Sequence, residues 1–366
     1  MTVGMVSVPG VSYGEGVTER ADKGTRYEAE WKTLRALDPD YEVVQLTTAK
    51  ALDNKMYLDV NPYVPALDSV VFMSQRRSED DAENFFLMSL KDGTFVQLTD
   101  SDDIDGDHGN VSPETEEVFY RDKRTFKRVS LRAPYQEREI YTVPERYDPK
   151  GILSLTSDGN TIASSFYDED EDRSSLVIVD VATGRLETIK RIDGKVDHVL
   201  INPVRGDTLL YHIYDENEIG IVDIATKTKK VLTEPGDHGV HPFWTANGAK
   251  AAYVEKNSDP ERVVTYHLRA GRLVDYDIPK RGNHFAINPS QSLLQSDGSG
   301  SDRHIYYYGI DRDGNTFDYR KMFEHGSSSD EEAVHPHAAF INDTDLIFNS
   351  DAAGNGNVYL LRKKSD

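Results

Sequence analysis

A unit of roughly 40 to 50 residues recurs along this chain, and that period restricts the fold more than any other feature. Each copy has an apolar strand, a small turn, a second apolar strand, a polar loop, then two more strands joined by a turn. The copies begin at "YVPALDSVVFMSQRR" (63), "VSPETEEVFYRDKRTF" (111), "LTSDGNTIASSFYDED" (155), "INPVRGDTLLYHIYDE" (201), "FWTANGAKAAYVEKN" (243), "INPSQSLLQSDGSG" (287) and "FINDTDLIFNSDAAG" (340). Helical periodicity is scarce, and short alternating runs are bounded by Gly, Asp, Asn and Pro. Seven four-stranded units predict an all-β fold, a seven-bladed β-propeller, in which stacking covers faces and edges that one blade leaves open. The last unit runs out of chain after "GNVYLLRKK", its third strand. The segment "YEVVQLTT" at 41–48 resembles the fourth strands "GTFVQLT" and "KKVLT", so an N-terminal strand is expected to complete the last blade and close the ring. Residues 1–25 are Gly-rich and polar and are read as a flexible segment, with 26–366 as one propeller domain.

Net charge is −22, which opposes nucleic acid and anionic membrane surfaces as partners. With no cysteine, thiolate metal sites and cysteine nucleophiles are excluded. There is no basic, apolar leader and no apolar run of about 18 residues, so the expected location is the cytoplasm.

Chemistry concentrates in the histidines. With the proline-like residue of each first turn as ruler, a histidine stands five positions earlier in five units: His108, His198, His241, His284 and His337. The chain holds only 11 histidines. First strands line a propeller's central channel, so these imidazoles are expected to converge on the axis, as a metal or acid/base device does. A lone histidine at such a position more often serves only to bond the next blade; the cluster favours a site. His335 precedes His337 by two and shares its strand face. With His284 it makes three imidazoles, and Glu332 adds an oxygen, with Glu331 the fallback. That donor set suits manganese, zinc, iron or nickel.

Other motifs carry less. "DIDGDHG" at 103–109 looks like part of a calcium loop but lacks the closing glutamate. "DEDED" at 168–172 is a solvated loop, and a GxSxG nucleophile turn is absent.

"HPFW" (241–244), "NHFAINPSQSLLQSDG" (283–298) and "HPHAAFINDTDLIFNSDAAGNGNVYLL" (335–361) resemble the oligogalacturonate lyases, pectin-degrading seven-bladed propeller enzymes of the cytoplasm. The resemblance implies a carbon–oxygen lyase that cleaves short uronate oligosaccharides by β-elimination, with a divalent metal cofactor, manganese first. It places the metal ligands on His284, His335 and His337, the base on His241 and a substrate contact on His198. By register His108 joins the substrate contacts. The family's fourth ligand is a glutamine where this chain has Glu332. The family's arginine near the catalytic centre falls around Glu218, so another cation is needed for the substrate: Arg281, Lys280, Arg76 or Arg77. The expected partner is a small anionic oligosaccharide. Rival readings are a lyase for another uronate, such as a glucuronate–rhamnose unit, and a non-catalytic binding or scaffold propeller.

Overall fold

A computed structural model describes residues 23–76, 82–149, 152–311 and 316–364, except for the side chains of 105–108 and 317. They form seven antiparallel sheets. Blades two to six span 104–142, 154–193, 196–231, 239–278 and 285–324, each with four strands paired in chain order. The only helical turns among the described residues are three 3-10 segments of three residues each. No described helix is long and apolar enough to cross a membrane.

The ring closes as the sequence predicts. Tyr41–Gln45 pairs antiparallel with Asn357–Lys363, with Tyr41 opposite Lys363 and Gln45 opposite Tyr359. Val43 and Val44 are buried there, one on each face of blade seven. The chain adds more than the repeat required. Lys32–Arg35 hydrogen-bonds outside Tyr41–Gln45 as a fifth strand, and Arg26–Tyr27 edges blade one against Phe95–Gln97. Within the described residues, Gly24 donates its N–H to the Gln97 carbonyl at 2.8 Å.

There is no single core. Seven apolar clusters sit one in each interface between neighbouring blades. Strand alternation explains how one sequence serves two of them. In "HIYYYGI", Ile305 and Tyr307 pack toward blade seven, while Tyr306 and Tyr308 pack toward blade five. Both faces of each inner strand are buried, so these runs read as nearly continuous apolar stretches. The run 103–109 is no calcium loop, because Ile104–Ser112 is the first strand of blade two.

Candidate functional site

The register histidines of blades five to seven meet at one end of the axis. The His284 ring lies 4.6 Å from His241, 4.5 Å from His337 and 5.6 Å from His335, centroid to centroid. His335 and His337 are 5.5 Å apart. His198 stands further round, its Nε2 3.1 Å from the Tyr57 hydroxyl. Tyr57 in turn has its ring 4.8 Å from that of His337. His108 lies on the strand Ile104–Ser112, with its side chain outside the described residues.

Local backbone aims these side chains. His241 is followed by Pro242, which has no N–H to give the ladder. The pairing of Gly239–Trp244 with Lys250–Glu255 slips between Val240 and Phe243, so His241 occupies a bulge. Its φ is 50°, and His337 has φ 42°, the left-handed region that non-glycine residues seldom enter. Two such residues at one site are the kind of strain that surrounding structure must hold in place.

Hydrogen bonds fix which ring nitrogens are free to ligate. Asp297 Oδ2 lies 2.6 Å from His284 Nδ1, so that nitrogen carries the proton and Nε2 keeps its lone pair. The other oxygen of Asp297 accepts the His284 backbone N–H at 2.9 Å and that of Asn283 at 3.3 Å. His335 Nε2 donates to the Ser329 carbonyl at 3.1 Å, which leaves Nδ1 as the open nitrogen. His335 Nδ1 and His337 Nε2 are buried and make no well-aligned hydrogen bond among the described residues, although a Glu332 carboxylate oxygen stands near each. Ligand atoms from His284, His335 and His337 all lie within 4.8 Å of one another. Three imidazoles whose nitrogens converge this closely, one with its tautomer set by a buried carboxylate, fit a divalent ion.

Glu332 reaches this triad from its half-exposed side. One carboxylate oxygen is 3.0 Å from His337 Nε2 and the other 3.5 Å from His335 Nδ1. It opens the 3-10 turn Glu332–Val334, which delivers His335 at its C-terminal end.

Burial dominates the electrostatics. Desolvation, reinforced by His284 and Lys256, holds His241 well below the usual histidine range, so it is a neutral acceptor at pH 7. His337 is lowered by burial first, then by His284 and Lys55. Burial alone would raise Asp297; its interactions with His284, including the hydrogen bonds from the ring and the backbone, more than offset it and hold the carboxyl below its usual value.

The candidate cations separate. Arg76 is buried between Glu30 (2.7 Å) and Asp53 (2.8 Å), with its guanidinium 4.7 Å from the Phe95 ring centre, so it braces blade one. Arg77 lies outside the described residues. Lys280 and Arg281 are exposed on the turn leading to His284, with no ion pair among the described residues. Glu218 is bonded to Lys229 (2.6 Å) and to the Tyr211 hydroxyl (2.7 Å), so its charge is compensated within blade four.

Three residues escaped the sequence reading. Asp297 is one; "QSDG" and "FNSD" recur after the histidines of blades six and seven, a pattern that could have flagged it. Tyr57 and the fully buried Lys55 are the others. They precede the first repeat, where no register applies.

No family model matches the chain. An oligogalacturonide lyase of Pectobacterium atrosepticum is 22% identical, over 93% of this chain and 98% of its own length. An oligogalacturonate lyase of Dickeya dadantii is 21% identical over the same shares. A solved oligogalacturonate lyase of Vibrio parahaemolyticus superposes with a TM-score of 0.83 at 20% identity, covering 93% of this chain and 98% of that one. A solved oligogalacturonate lyase in complex with manganese gives 0.82 at 20% identity, covering 94% and 99%. The chain is thus similar over 93% of its length to two oligogalacturonate lyases and shares the fold of two solved ones.

Proposed function

We propose that this protein is a manganese-dependent lyase that cleaves short oligogalacturonates by β-elimination. The observation that carries the reading is the triad His284, His335 and His337 with a neutral imidazole, His241, packed against it. It stands in a chain that aligns over 93% of its length with an oligogalacturonide lyase and an oligogalacturonate lyase.

A divalent ion on the three histidines, with Glu332 as a fourth ligand, would neutralise the uronate carboxylate as a Lewis acid, which makes the C5 proton removable. His241 takes that proton. Its neutral form is the one present near pH 7, and its bulged, left-handed backbone fixes where the ring points. Asp297 keeps the His284 proton on Nδ1, away from the ligating nitrogen. His198 and His108 contact the sugar. Arg281, on the turn before His284, meets a carboxylate further along the oligosaccharide. The metal charge answers an overall charge of −22, since it attracts an acidic sugar locally.

Glu332 favours a second substrate arm. A carboxylate beside the triad lowers the positive charge offered to the sugar, which suits a less densely charged ligand such as a glucuronate–rhamnose unit. The experiment supplies Mn²⁺ and a panel of short uronate oligosaccharides, and follows the ultraviolet absorbance of a 4,5-unsaturated product. Absorbance is expected with digalacturonate or trigalacturonate. Metal-loaded protein inactive on every uronate would refute the reading and leave a binding propeller.

A further inference from the structure

The β-elimination leaves one proton unassigned. The C4 oxygen departs as an alcohol, so some group must protonate it, and the reading above names only a base. We propose that Tyr57 is that group: a further catalytic residue whose hydroxyl donates to the leaving C4 oxygen. The inference rests on the lyase reading.

Tyr57 stands on the blade-one side of the histidine cluster. Blades four to seven each carry a register histidine, and blades one and three carry none. From blade one, the segment after Asp53–Asn54 brings Tyr57 between His198 and His337, with ring centroids 5.5 and 4.8 Å away. His284 touches His241 on one side and His337 on another, and Tyr57 flanks His337. The base and Tyr57 therefore flank the triad through different members, as a reaction needing a separate acid and base requires. Tyr57 is half-buried, with its hydroxyl 3.1 Å from His198 Nε2.

The segment is built to hold that position. Lys55, with no exposed surface, donates from Nζ to the Tyr57 carbonyl at 2.8 Å, and Asn349 of blade seven accepts the Lys55 backbone N–H at 2.8 Å. The hydroxyl has a polar neighbour besides substrate, His198 Nε2 at 3.1 Å. The step balances. His241 accepts the C5 proton, its C–H electron pair becomes the C4–C5 double bond, and the C4–O bond breaks. The departing oxygen takes the Tyr57 proton. The phenolate is reprotonated from solvent through His198, and the proton on His241 returns to solvent.

The test compares two leaving groups. Tyr57→Phe removes only the hydroxyl and leaves Lys55 and the ring contacts in place. On a digalacturonate, whose leaving alcohol needs a proton, kcat is expected to fall about 100-fold or more, the range of a general acid. On a galacturonate carrying 2,4-dinitrophenolate at C4, which leaves without one, the loss is expected to stay within a few-fold. Mn²⁺ affinity is expected to be unchanged. Equal losses on both substrates would make Tyr57 a packing residue and overturn the proposal, as would no loss on either. If the variant does not fold, the wild type still decides: a steep dependence of kcat on leaving-group acidity would mean no acid assists. Wild-type protein inactive on both substrates refutes the lyase reading itself.

Discussion

Replacing Asp297 by Asn changes one atom and should cost the protein its hold on metal. The carboxylate serves two sets of donors at once: His284 Nδ1–H on one oxygen, and two backbone N–H groups on the other. An amide cannot do both. With its oxygen toward the ring, its NH₂ faces the two backbone donors. With its oxygen toward the backbone, its NH₂ faces Nδ1 and drives the imidazole proton to Nε2, the nitrogen that must bind the ion. A charge-assisted hydrogen bond contributes about 1.5–3 kcal/mol against about 0.5–1.5 for a neutral one, a difference near 1–1.5 kcal/mol. That difference alone weakens binding about 10-fold, and the tautomer penalty carries it toward the ~100-fold seen for outer ligand partners. Calorimetric titration with Mn²⁺ on protein of wild-type circular dichroism reads the effect directly. Affinity within two-fold of wild type would refute the claim that Asp297 sets the His284 tautomer.

His241→Ala should keep Mn²⁺ affinity while kcat falls by at least ~100-fold, measured by titration and by product absorbance; loss of the metal as well would make His241 a ligand rather than the base. Burial pushes His212 down to about 4 from 6.5, so the unfolded chain takes up its proton first. Stability should therefore fall as pH drops from about 6.5 to 4, by roughly 3 kcal/mol for this residue at 1.36 kcal/mol per unit. Urea unfolding at pH 7 and 4.5, compared with His212→Leu, isolates that share because carboxylates titrate in both proteins. Val43→Asp puts a charge into the fully buried closing strand and should cost more than ~4 kcal/mol, read as a lost or much lowered unfolding midpoint.

The fold was legible because propeller blades repeat and strands alternate. Counting seven turns located every sheet, and the strand missing from the last unit pointed to 41–48. The histidine register was legible for the same reason: the ring turns a sequence offset into a place near the axis. What failed to show lies outside that periodicity. Tyr57 and Lys55 stand in the irregular run before the first repeat. Asp297 is next to Ser296, which pairs with Phe285, so the hairpin sets it opposite His284, a relation that needs strand register. Lys32–Arg35 has too few apolar residues to read as a strand, since its partner supplies the hydrogen bonds. Arg76 looked like an anion binder because its charge is visible in sequence and its partners, Glu30 and Asp53, are not.

The blade that carries His335 and His337 is also the blade closed by the N-terminal strand, with Thr47 bonded to Asn357 across 310 positions. During translation the first strand of that sheet emerges early and must wait for the last. Until residues 357–363 leave the ribosome, blade seven has no third strand and the histidine pair no rigid support. Pairings of such long sequence separation also fold slowly. A chain broken off before its final strand would therefore hold six blades' worth of β-structure yet bind no ion, which ties competence for metal to completion of synthesis.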